Sequence, residues 1–148
     1  MTLEVDRISA YAAAPNAMEA MQHVENYLAD CGLEPSLAEL VKMRVSQTNG
    51  CAFCLSLHST DARRGGETEQ RLYLLSAWRE SSLYTPRERA ALAWAEALTS
   101  VASTHAPDAV FGEAREHLTD EELTNLTLLV CQINSWNRFA IGFRYRHA

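Results

Sequence analysis

Apolar positions recur along this chain at spacings of three and four residues, the pattern of helices that bury one face. In "NAMEAMQHVENYLADCG" the recurrence puts Met18, Met21, Val24, Leu28 and Cys31 on one stripe, with Asn16 as the expected N-cap and Gly32 as the stop. "PSLAELVKMRVSQTNG" predicts a second helix, opened by Pro35 in its first turn and broken at Asn49-Gly50. A third runs from that break to Gly65-Gly66, and "TEQRLYLLSAW" predicts a shorter fourth.

The clearest start lies in "TPRERAALAWAEALTSV". Thr85 caps, Pro86 suits the first turn, and Glu88 completes a capping box. A short helix is expected after Pro107, holding Val110 and Phe111, and the last helix repeats the box with Thr119 and Glu122. No stretch alternates strictly between apolar and polar, so no sheet is expected. No repeat or long linker interrupts the pattern. The expectation is one all-α domain over residues 1–148, a bundle of about six or seven helices.

Composition agrees with a packed core. The chain has 148 residues, 47% of them hydrophobic, and its 22% charged residues are dispersed rather than blocked. A net charge of -6 argues against nucleic acid as a partner, since phosphate binding needs a basic face. No apolar run is long enough for a membrane span, and "MTLEVDRISAYAAAP" has no signal-peptide core. A cytoplasmic protein is expected. Reducing compartments make structural disulfides rare, so a close cysteine pair there points to chemistry or metal.

Such a pair occurs in "NGCAFCLSLH". On a helix Cys51, Cys54 and His58 fall on one face. Cys51 would lie at the helix start, where unpaired N–H groups and the dipole favour thiolate. His58 follows one turn after Cys54 and can accept or relay a proton near neutral pH. The face thus offers two sulfurs able to close a disulfide and a base able to ionise one of them. Haem attachment fails because Leu55, not histidine, follows the second cysteine. Structural zinc needs four ligands, and Cys31 and Cys131 stand apart, leaving a mixed Cys-Cys-His-Glu set as the remaining metal reading. The plain alternative is two buried small residues and a satisfied histidine. Glu39, on the preceding helix, can face His58 across the Asn-Gly turn and orient its imidazole; alone, it reads as a solvated surface acid.

The arrangement of Glu39, Cys51, Cys54 and His58 resembles the signature of the AhpD-like alkylhydroperoxidases, within the wider carboxymuconolactone decarboxylase superfamily. "ELVKMRVSQTNGCAFCLSLHSTDARRGGETEQRL", with Ser46 and Asn49-Gly50, and the segments "ERAALAWAEALT" and "INSWNR" look like its small single-repeat members, covering residues 15–145. The resemblance implies an all-helical fold assembling into homo-oligomers, trimers or hexamers, and a dithiol peroxidase. By that analogy Cys54 attacks a hydroperoxide, Cys51 resolves the sulfenic acid as a disulfide, and Glu39 with His58 relays protons. A thiol or lipoyl-bearing partner would restore the dithiol, with no cofactor and no metal. The chain departs from the best-studied type at Phe53, where that type carries a second histidine.

Two other functions fit the same scaffold: a lactone decarboxylase or isomerase using His58 and Glu39 as acid and base, and a redox-sensing module. Phe53, Trp136 and Phe139 then read either as pocket walls for an organic substrate or as core packing.

Overall fold

The computed structural model describes residues 6–147, which are helical without a strand. The helices are α1 (Ala10–Ala13), α2 (Pro15–Asp30), α3 (Pro35–Asn49), α4 (Ala52–Arg64) and α5 (Glu69–Leu74), the last extended by a 3-10 turn at Leu75–Ala77. After these come α6 (Pro86–Thr99), α7 (Val101–Thr104), α8 (Asp108–His117) and α9 (Asp120–Phe143). α1 and α7 are single turns of 4 residues; the other seven are the helices expected from the apolar pattern.

Most boundaries fall where local chemistry demands. Thr85 and Thr119 each accept the N–H of the glutamate three residues on, and Glu88 and Glu122 return a carboxylate to the cap N–H, so both capping boxes are complete. The start of α2 differs from expectation. Pro15 opens it behind Ala14, and Asn16 lies inside the first turn rather than at the cap. Proline lacks the N–H that a first turn leaves unpaired and has its φ already set, so it claims the start.

α3 is the central helix, packing against α4, α6 and α9. Its Leu37, Val41 and Val45 join Ala91 and Ala95 of α6 and Leu126, Leu129, Val130 and Ile133 of α9 in the main core. Its opposite face puts Leu40 and Met43 against Leu72, Leu75, Trp78, Tyr84 and Leu92. Fully burying each of the leucine, isoleucine, valine and methionine side chains among them stabilises the fold by ~1.5–3 kcal/mol, less the entropy of ordering it. α9 is two-sided, because Leu128 and Cys131 are exposed while their neighbours are buried. The apolar run "LTLLVCQI" is therefore largely covered within the chain, and Cys131 sits at the surface rather than inside an apolar stretch. Among the described residues no helix is long and apolar enough to cross a membrane.

Candidate active site

The junction between α3 and α4 sets the site. Gly50 adopts φ 70°, a left-handed conformation that glycine takes without a Cβ penalty. The turn closes by hydrogen bonds from Gly50 N–H to the Gln47 carbonyl (3.2 Å) and from Cys51 N–H to the Ser46 carbonyl (3.0 Å). Side chains lock it from beneath. Asn49 Nδ2 donates to Asn134 Oδ1 and Asn137 Oδ1, both at 2.9 Å, and Asn137 Nδ2 donates to Ser46 Oγ at 3.1 Å. Ser46 and Asn137 are fully buried, so each unmade bond there would carry its full desolvation cost. This network ties the end of α3 to α9 and fixes where α4 begins.

Cys51 is the N-cap of α4, its Sγ accepting the Cys54 N–H at 3.3 Å. Cys51 and Cys54 are joined as a disulfide across a Cα–Cα distance of 5.3 Å, within the usual range. Cys31 and Cys131 are free. Cys51 has no exposed surface, whereas Cys54 is 3% exposed and borders a cavity.

One turn along, His58 Nδ1 meets Glu39 Oε2 at 3.2 Å, and Lys42 Nζ donates to Glu39 Oε1 at 3.1 Å. Both acid and imidazole are largely shielded, with side chains 19% and 12% exposed. Burial alone would push the Glu39 carboxyl up, but the hydrogen bond with His58 and the Lys42 charge outweigh it and hold the carboxyl below its ordinary value. Glu39 is thus an ionised partner for the imidazole and not a solvated surface acid. Lys42 was readable in principle, since it lies three residues from Glu39 on one helix face.

Glu39, His58 and Asp61 bring ligand atoms within 4.8 Å of one another, a spacing able to hold a metal ion. Lys42 on Glu39 and Arg64 on Asp61, at 3.6 Å, already supply positive charge there. With both sulfurs in the disulfide, a Cys-Cys-His-Glu set has no thiolate to offer a metal.

Two cavities flank the cysteine pair. The one beside Cys54, about 380 Å³, is walled by Phe53, Leu57, Trp136 and Tyr145, with His58 and Lys42 among its polar residues. Trp136 Nε1 donates to Glu25 Oε1 at 2.6 Å across its α2 side. The cavity beside Cys51, about 370 Å³, is bordered by Phe53, Tyr145, Arg144 and Arg146. Of the three aromatics singled out in the sequence, Phe53 and Trp136 line the Cys54 cavity, while Phe139 packs between Trp136 and Phe143. Tyr145 was not anticipated. It reaches the site because Arg144 ends α9 in a left-handed conformation and Tyr145 N–H bonds back to the Ala140 carbonyl at 2.9 Å.

Comparison with known proteins follows the same lines. Residues 12–97 match the model of the carboxymuconolactone decarboxylase family. The uncharacterized protein YdfG of Bacillus subtilis (strain 168) is 45% identical over 142 residues, 96% of this chain and 97% of that protein. A crystal structure from Agrobacterium tumefaciens, ATU0492, described as of unknown function and a candidate antioxidant defence protein AhpD, superposes with a TM-score of 0.95. It is 44% identical, over 97% of this chain and 99% of that one. The debrominase Bmp8 shares the fold at 20% identity and a TM-score of 0.83, over 93% of this chain and 74% of its own. An arrangement of Cys51, Cys54, His58 and Glu39 on this helical frame, with these likenesses, places the chain in the carboxymuconolactone decarboxylase family, among its AhpD-like members.

Proposed function

We propose that this chain is a thiol-dependent peroxidase that reduces organic hydroperoxides through a Cys51–Cys54 dithiol–disulfide cycle. The observation that carries the reading is a cysteine pair at disulfide distance beside a histidine already paired with a carboxylate. In the reduced chain the Cys54 thiolate attacks the terminal peroxide oxygen, forming an S–O bond as the O–O bond breaks. The leaving alkoxide takes a proton from His58, whose ring Glu39 orients through Nδ1. The Cys51 thiol then attacks the Cys54 sulfenic acid, closing the disulfide and releasing water. A dithiol partner, thiol- or lipoyl-bearing, returns two electrons and is itself oxidised to a disulfide. Cys54 suits the attacking role because the cavity it borders also holds His58, whereas the cavity beside Cys51 does not. Phe53 leaves proton transfer to Glu39 and His58. The same reading includes a homo-oligomer, trimer or hexamer, and light scattering at micromolar concentration checks it.

The cavity volume of about 380 Å³ falls in the range of small organic ligands, which suits an organic hydroperoxide and equally the substrate of a second reading. An acid–base lyase or isomerase would use His58 and Glu39 without the sulfurs. Cys54→Ser separates the two, since it abolishes the peroxidase and spares the lyase. The direct test is incubation of the reduced protein with cumene hydroperoxide, which should consume two thiols per chain. A Cys51–Cys54 pair that stays titratable in excess peroxide, alongside Cys31 and Cys131, overturns the proposal. Lipoyl, thioredoxin and glutathione reductants compared side by side then identify the partner class.

A further inference from the structure

Tyr145 carries a buried hydroxyl that has no hydrogen-bond partner among the described residues. A buried hydroxyl without a protein partner is costly, because its hydrogen bonds to bulk water are lost and no protein group replaces them. Its surroundings are the cysteine pair itself. The side chain packs on the small cluster of Cys51, Cys54 and Ala140, and its ring meets Phe53 edge-on with centroids 5.5 Å apart. It also lines the cavities on both sides of the disulfide. The chain adopts a left-handed Arg144, at φ 58°, to fold the tyrosine back to this place. Burial pushes the Tyr145 phenol up, so the oxygen keeps its proton and remains a donor.

The orphaned hydroxyl belongs to the disulfide form, and a disulfide sulfur is a poor acceptor. A thiolate is a strong one. Reduction by two electrons breaks the S–S bond, taking up one proton to leave one thiol and one thiolate, with a dithiol reductant oxidised to its own disulfide. In the disulfide form Cys51 Sγ is the N-cap acceptor of the Cys54 N–H, a bond that ties it to the start of α4. Cys54 is then free to take another staggered rotamer toward the cavity that Tyr145 lines. We infer that Tyr145 is a positioning residue whose hydroxyl is unpartnered in the disulfide form and donates to the Cys54 thiolate in the reduced form. It thereby favours the reduced state and the reactive thiolate. This rests on Cys54 being the reactive thiol of the proposed cycle, but not on peroxide being its substrate.

Tyr145→Phe removes the hydroxyl and keeps the ring against Phe53. The titratable and charged groups around Cys54 are unchanged: His58 and Asp61 on α4 itself, Lys42 with Glu39 on α3, Glu25 on α2 and Tyr11 on α1. Equilibration with mixtures of reduced and oxidised dithiothreitol, read by alkylation of free thiols, should shift about tenfold toward the disulfide, or about 30 mV more negative. The pH profile of Cys54 alkylation by iodoacetamide should move upward. The oxidised variant should unfold at the same temperature as the parent or higher, while the reduced variant unfolds lower. An unchanged equilibrium with an unchanged alkylation profile overturns the inference. So does a lower unfolding temperature of the oxidised variant, which would mean that the hydroxyl is already bonded in that form. Parent protein that ignores hydroperoxide would sink the peroxidase reading while leaving these measurements decisive for Tyr145.

Discussion

Glu39 and His58, on consecutive helices and separated by 19 positions, meet through a carboxylate oxygen and Nδ1 at 3.2 Å. A carboxylate on Nδ1 fixes the tautomer and leaves Nε2 free to face a substrate or a sulfur. In the disulfide form His58 bonds to Glu39 and to neither sulfur, so any partnership with Cys54 belongs to the reduced chain.

If the pair acts as a unit, Glu39→Gln should slow oxidation of reduced Cys54 by cumene hydroperoxide by about tenfold or more, the scale of a lost charge-assisted hydrogen bond. His58→Gln should do likewise, and the double variant should lose little beyond either single change. Stopped-flow thiol oxidation across pH measures this. An unaltered rate and pH profile in Glu39→Gln would reduce Glu39 to a structural acid.

Stability should fall in acid, and the sign follows from the carboxyls. Burial alone would raise Glu39, Glu88 and Glu96, but hydrogen bonds from His58, Arg71 and Arg44 bring each below its ordinary value of 4.5. The hydrogen bond from Arg87 lowers Glu122 in the same way. The unfolded chain therefore binds protons more readily than the folded one, and this stabilisation is present above 4.5 and lost as pH falls through the lower folded values. Urea midpoints should hold steady above that point and decline below it. Glu39→Gln should make the decline shallower.

Peptide mapping should find Cys51–Cys54 as the dominant intramolecular bridge after mild oxidation, reversed by dithiothreitol, with Cys31 unmodified at its contact with the Leu28 carbonyl. Cys131 is exposed and should alkylate readily in both redox states. A bridge linking Cys31 or Cys131 to the pair would contradict the arrangement at the start of α4.

The amide network beneath the cysteine turn should be expensive to disturb. Asn137→Ala leaves Ser46 Oγ and Asn49 Nδ2 short of a buried partner and should cost ~2–3 kcal/mol in denaturant unfolding. Gly50→Ala meets no atom within 4 Å, so its cost should be the left-handed backbone penalty alone, ~1–2 kcal/mol. Equal losses in the two variants would mean that the amides contribute little beyond the turn.

What the sequence determined by itself was the part of the protein whose causes are local. Thr85 with Glu88 and Thr119 with Glu122 act within one turn, so their helix starts were legible from a few letters. Cys51, Cys54 and His58 share a face because helical geometry is periodic, and Glu39 could be set opposite them because only one tight turn intervenes. Even locally a competing rule can win, as when Pro15 took the start of α2 from Asn16. The tertiary structure decided whatever depends on residues far apart. Asn49 meets Asn137 across 88 positions, a pairing no local pattern encodes. Tyr145 reaches the cysteines only because α9 returns alongside α4 and ends in a reversed turn. Burial decided the rest: Glu39 is an ionised partner rather than a surface acid because packing removes its water and leaves His58 and Lys42 in its place.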